Sequence, residues 1–188
     1  MIAIIVLVIV GVLVVGGLLW AVLAYNGLVT ARNRIEGAYA QIDVQLHRRH
    51  DLIPNLVETV KGYAAHERDT LEAVIAARNA AMSAGTPAEA AQAENVVTGA
   101  LRSLFALSEA YPQLQANENF GQLQAELAAT EDRIAYARQY YNDNVRTYNT
   151  RIETVPTVVV ARMAGFAARE YFAADEDARG GVAVDFGS

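Results

Sequence analysis

Residues 41–67 read QIDVQLHRRHDLIPNLVETVKGYAAHE, and how this stretch is taken decides the fold. It holds all three histidines, His47, His50 and His66, the paired arginines Arg48 and Arg49, and Pro54 among helix-forming residues. Two readings are open. Asp51 can cap a new helix with Pro54 in its first turn, where backbone N–H groups have no helical partner. The chain then turns at Asp51–Pro54 and the whole is an up-and-down four-helix bundle. Alternatively one long helix kinks at Pro54 and the arrangement has three helices. We adopt the turn and keep the kinked helix as the alternative.

Working outward toward the N-terminus, Leu28, Ile35, Ile42 and Arg49 fall seven apart, flanked by Ala31, Ala38 and Leu46. That spacing is an amphipathic helix with one core-facing seam. Before it, Ile2–Leu23 is an almost unbroken Ile/Val/Leu run, and the first charged side chain is Arg32. At about 1.5 Å per residue the run reaches about 33 Å, enough to cross a hydrocarbon core of about 30 Å. Trp20 and Tyr25 stand where an aromatic belt forms. No charged n-region precedes the run and it is long for a signal peptide, so residues 1–25 are read as a retained transmembrane anchor. Arg32 and Arg34 follow the span and no Lys or Arg precedes it, which predicts an inner-membrane protein with its N-terminus outside and its bulk in the cytoplasm. Gly17 and Ala21 leave a small-residue face through which two spans can approach.

Toward the C-terminus, Ile53, Leu56, Val60, Tyr63, Glu67, Leu71, Val74 and Arg78 keep a three/four spacing that stops at Ser83-Ala84-Gly85. Thr86-Pro87-Ala88-Glu89 is a capping box with proline at the first helical position. The helix it opens carries Val97, Leu101, Leu104, Phe105 and Tyr111 and ends near Pro112. A last long helix opens near Asn117 or Asn119, with a seam of Phe120, Leu123, Leu127, Ile134, Tyr141, Val145, Tyr148, Ile152 and Val155, and ends at Pro156. No segment alternates as a half-buried strand does, so the fold class is all-α. The bundle occupies residues 26–155. Residues 156–173, with Phe166, Tyr171 and Phe172 among Arg162 and Arg169, read as a short amphipathic helix that either caps the bundle or lies on the membrane. Residues 174–188, acidic and glycine-rich, read as a loose tail.

Composition narrows the function classes. The 188 residues carry a net charge of −6 and no basic block, which argues against nucleic acid. Cysteine is absent, which excludes disulfides and thiolate chemistry. His66-Glu67 suggests the zinc-protease HExxH, but Thr70 stands where the second histidine belongs. His47, His50 and Asp51 lie within a helical turn, yet Arg48 and Arg49 beside them oppose a bound cation. No metal, cofactor or catalytic residue is assigned, and the chain is read as non-enzymatic.

More telling are charges in core register: Arg49, Glu67, Arg78, Glu131 and Arg138. Buried charges cost several kcal/mol unless partnered, so we expect interhelical pairs, Arg78 or Arg138 with Glu131 or Glu67, that fix helix register. Tyr141-Asn142 and Tyr148-Asn149 repeat a pair seven residues apart and read as core tyrosines beside satisfied amides.

These residues resemble the LemA family. The matching pieces are Tyr25-Asn26, Leu28-Val29, Arg32-Asn33, the unbroken run Ile42 to Val57, Val60 to Tyr63, His66-Glu67, Tyr111-Pro112, Tyr141-Asn142 through Val145 to Tyr148-Asn149, and at the end Gly165-Phe166 and Tyr171-Phe172. The resemblance implies a bacterial membrane protein with a single-pass anchor and an up-and-down four-helix bundle, and it implies no catalytic residues. Similar proteins often accompany membrane proteins bearing a TPM domain, and one relative takes part in magnetosome membrane formation. The expected function is therefore a scaffold that self-associates and organises or shapes the membrane. The alternative is an adaptor docking another membrane protein. The expected partners are the bilayer, a second copy of the chain and, for the adaptor, that membrane protein.

Overall fold

The computed structural model describes residues 1–172; the tail expected over 174–188 lies outside them. The elements are α1 (Ile2–Lys61), α2 (Arg68–Met82), α3 (Pro87–Ser108), α4 (Pro112–Gln115), α5 (Glu118–Glu153) and α6 (Thr157–Met163), with no strand among the described residues. The fold is all-α. The chain divides into two compact units: Gln41–Arg138 with the chain from Tyr171, and Met1–Ala40 with Gln139–Glu170.

The turn expected at Asp51–Pro54 is not there. α1 runs through Pro54 to Lys61, and the chain reverses over residues 62–67 instead. The physical reason is a donor from another helix. Proline lacks the N–H that would bond the carbonyl four residues back, that of His50. Arg78 Nε on α2 donates to that oxygen at 2.7 Å. The orphaned acceptor is thereby satisfied and the helix continues. Asp51 caps nothing; it is an exposed mid-helix residue. The alternative is right that one long helix continues through Pro54, but the reversal at 62–67 makes four long helices and not three.

Within Gln41–Arg138 those helices alternate in direction. At one level Arg49 and His50 of α1 meet Arg78 of α2, Glu94 and Thr98 of α3 and Glu131 of α5. At the other, Tyr111 Oη donates to Glu67 and Asn117 Nδ2 donates to Tyr63 Oη, tying both connections together. Between the two levels lies a core that includes Ile53, Leu56, Val60, Val74, Leu104 and Leu114. The Thr86–Glu89 capping box forms in both directions and opens α3 as expected. α5 begins where Asn117 Oδ1 accepts the Phe120 N–H.

In the second unit Leu28, Ile35, Ala38, Tyr141, Val145, Tyr148 and Ile152 are all buried. Val155, counted in the same seam, is 84% exposed. α6 is shorter than the helix expected over 156–173, because glycine stops it. Gly165, at φ 71, lets its own N–H reach Arg162 O while Phe166 N–H reaches Ala161 O. That is a Schellman ending. Phe166 is thereby turned back, its ring 5.6 Å from Tyr25 and 5.8 Å from the Arg32 guanidinium. The segment that follows has no helix of its own and is held by α5. Tyr148 donates to Ala167 O, Tyr141 to Glu170 O, and the Asn149 amide bonds the Arg169 backbone in both directions.

If Arg78 holds α1 together at Pro54, the two residues are thermodynamically coupled. Arg78→Ala should destabilise the folded chain by about 1–3 kcal/mol, the usual result of stranding a buried acceptor. In a Pro54→Ala background, where residue 54 regains its N–H, the same change should cost markedly less. Denaturant unfolding of the four variants in detergent, followed by helical circular dichroism, measures the coupling. Equal costs in both backgrounds would refute it.

Candidate functional site

The densest polar constellation lies inside the Gln41–Arg138 unit. Arg49, His50 and Glu94 are 3%, 5% and 2% exposed. Arg49 is placed by the α1 seam, and its neighbour His50 ends the turn that Pro54 leaves without an N–H. Arg49 Nη1 lies 3.2 Å from Glu94 Oε2 and 3.1 Å from Glu131 Oε2, while Nη2 donates to Thr98 Oγ1 at 2.7 Å. His50 Nε2 meets the other Glu94 oxygen at 2.7 Å. Thr98 passes its own hydrogen to the Glu94 carbonyl. Both carboxylate oxygens of Glu94 are thus engaged, and one guanidinium bridges two acidic residues from different helices.

Arg78 and Glu67 meet partners other than the acid–base pairs expected of them. Arg78 bonds the His50 carbonyl and Asn79 Oδ1. Glu67 sits before α2 and accepts from Tyr111. Glu131 pairs with Arg49. Arg138 stacks over the Phe172 ring at 4.9 Å, so this cation meets an aromatic face. Asp51 and Pro54 take no part beyond the proline's missing hydrogen, and Gly17 opens onto empty space on α1. Ala21 is half-buried.

Glu94 was missed by sequence reasoning, although a signal was present. Counting back three from Val97 in the 97, 101, 104 series lands on Glu94, in the same seam. His50 is buried against it, its Nε2 on the Glu94 carboxylate. His47 stays near the surface, its ring nitrogen bonded to the Asp43 carbonyl one turn earlier. Chemically, the cluster holds charge in fixed places. Its acceptors and donors are matched to one another across four helices.

Two tyrosines are shifted. Burial, then the Glu67 charge and hydrogen bond, push the Tyr111 hydroxyl up. Burial first, then Tyr39, push up that of Tyr141, with Arg169 opposing and Glu170 adding to the rise.

A second feature is a groove of about 750 Å³ between the end of α1 and α2, floored by Pro54, Val57, Leu71 and Ile75 and rimmed by Glu58, Lys61, Arg68 and Glu72. The apolar run at the start of α1 has a mean hydropathy of 3.3 over its best window, with 0% of that window buried. By length and composition it is a candidate membrane span.

Comparison with known proteins gives a coherent picture. The family model described as "LemA family" matches residues 38–186. The chain is 27% identical over 174 residues to a protein named "Magnetosome protein MamQ" from Magnetospirillum gryphiswaldense, covering 79% of this chain and 64% of that one. It is 28% identical over 174 residues to "Magnetosome protein MamQ 2" of Paramagnetospirillum magneticum, with the same coverages. Over 141 residues it is 28% identical to "Protein LemA" of Metamycoplasma hominis, covering 73% of this chain and 63% of that relative. The chain thus spans less than two thirds of the length of these curated relatives.

Removing one member of the buried cluster should be costly and removing all of it should not. Glu94→Ala, which leaves His50 without its partner and Arg49 with Glu131 and Thr98 alone, is expected to cost about 3–5 kcal/mol. The triple change Arg49→Met, His50→Leu and Glu94→Leu is expected to be nearly neutral or stabilising. Denaturant midpoints decide. A mild Glu94→Ala together with a collapsed triple variant would overturn this account.

Tyr141 makes a second check. A raised folded-state value means that its stability contribution is complete below the ordinary tyrosine value of about 10 and is lost as pH rises beyond it. Thermal unfolding at alkaline pH should therefore fall off less steeply in Tyr141→Phe than in the native chain.

Proposed function

The chain belongs to the LemA family, and from that membership we propose a non-enzymatic, membrane-tethered scaffold that self-associates and organises or shapes the membrane. The bare span supports this reading most directly: among the described residues, nothing buries the apolar side chains of residues 2–20. Lipid or a second copy of the same helix must cover them. Gly17 opens onto free space, where the backbone of a second span can come close. The helix seams of the folded units are filled by the chain itself, which leaves the span and the outer helix faces for association. The printed names of two relatives, magnetosome proteins, agree with a role at a membrane-bounded structure. In this reading the span crosses the bacterial inner membrane with its N-terminus outside, and Arg32 and Arg34 hold the remainder in the cytoplasm.

A second reading is favoured by the groove between α1 and α2. Its apolar floor and mixed-charge rim suit an amphipathic helix from another membrane protein. The chain would then be an adaptor.

Purified in mild detergent, the protein should run at a multiple of its 20.3 kDa mass by light scattering, and Gly17→Leu should lower that multiple. Reconstituted liposomes should change shape. A strict monomer that leaves liposomes unaltered would sink the scaffold. Under the adaptor reading, cross-linking from a groove-edge position such as Glu72 should trap one recurrent membrane protein.

A further inference from the structure

We propose that α6 is an interfacial membrane-docking element, a second and shallow contact with the bilayer that lies beside the exit of the span. The proposal rests on the anchor reading above. Val155, Val159 and Met163 follow one another at intervals of four and are 84%, 57% and 85% exposed. The helix contains no acidic residue, carries one cation, Arg162, and buries only Ala161. A short helix with its apolar face bare is poorly suited to water and well suited to the headgroup–acyl boundary.

Two contacts fix its height. The ring of Phe166, just beyond the Schellman ending of α6, lies against Tyr25, two residues past the apolar run. Farther along, Tyr39 meets Tyr141 at 5.8 Å. Glu153, the last residue of α5, lies twelve residues beyond Tyr141, about 18 Å at a helical rise, and Tyr25 lies fourteen before Tyr39, about 21 Å. α1 and α5 run oppositely here, since contacts later in α5 are made with the segment that reaches back to Tyr25. The bare face of α6 is therefore level with the end of the span, where Trp20 and Tyr25 occupy the belt position. Lipid is the occupant that this level supplies.

The cysteine-free chain allows a clean test. Single cysteines placed by Val159→Cys and Met163→Cys in the full-length protein carry a nitroxide, in nanodiscs of phosphatidylcholine and phosphatidylglycerol. Val12→Cys reports the span, and Tyr136→Cys, at a position 73% exposed on α5, reports water. Power saturation compares collisions with oxygen, which favours lipid, and with a water-soluble nickel chelate. The oxygen-to-chelate ratio at residues 159 and 163 should exceed that at 136 severalfold and fall below that at 12. If 12 reads lipid while 159 and 163 match 136, α6 does not dock and the anchor still stands. If 12 also reads water, both readings fall. Dipolar broadening at 159 or 163 would show that a second copy covers this face, and would overturn the proposal in favour of a protein contact.

Discussion

A proline two turns before the end of a 60-residue helix withdraws one amide hydrogen, and the rest of the Gln41–Arg138 unit is arranged around the carbonyl it strands. A buried carbonyl without a donor is about as unfavourable as a lost hydrogen bond is worth. Arg78 supplies the donor from α2, which fixes how far α2 can slide along α1. The same residue, His50, sends its side chain to Glu94 on α3, and its neighbour Arg49 reaches both Glu94 and Glu131 on α5. Four helices are thus indexed at one turn of one helix. Apolar packing supplies the bulk of the driving force, since core groups such as Ile53, Val60 and Leu104 are fully enclosed. Packing alone is indifferent to a shift of one turn along a seam of Leu, Val and Ala. The charges are not.

Much of this was legible in the sequence. The seams through Ile42, Leu127, Tyr141 and Tyr148, the capping box at Thr86 and the apolar run before Arg32 all depend on neighbours within a few residues, and such signals survive folding. The turn at Asp51–Pro54 failed for the opposite reason. Asp and Pro look the same locally whether they open a helix or sit inside one, and the donor that decides between the two comes from another helix. The helix instead ends at Lys61, and the reversal occupies residues 62–67. Glu94 was passed over because a carboxylate in an alanine-rich helix reads as solvated until Arg49 is brought opposite. Val155 kept its place in a seam that had already run out of partners.

The histidines illustrate how position changes meaning. His50 has the burial and the carboxylate neighbour that often accompany proton chemistry, yet its ring nitrogen and both Glu94 oxygens are spent on one another and on Arg49. A group so matched has little left for a substrate. What the arrangement does supply is a four-helix unit whose members are held in one register, a property that the proposed scaffold requires and an adaptor can equally use. The apolar run at the start of α1, by contrast, is bare among the described residues.

Between Phe166 and Tyr171, the segment after α6 is secured largely through its main chain. Tyr148, Tyr141 and Asn149 all grip main-chain atoms, at residues 167, 170 and 169. A backbone grip does not read the residue it holds. These bonds therefore tolerate many side chains at 167 to 170, save proline at 169, whose N–H is used; the charges of Arg169 and Glu170 register a change through Glu36 and Tyr141. The three anchoring residues on α5 enjoy no such liberty. Here the information that holds the loop is written in the helix, not in the loop.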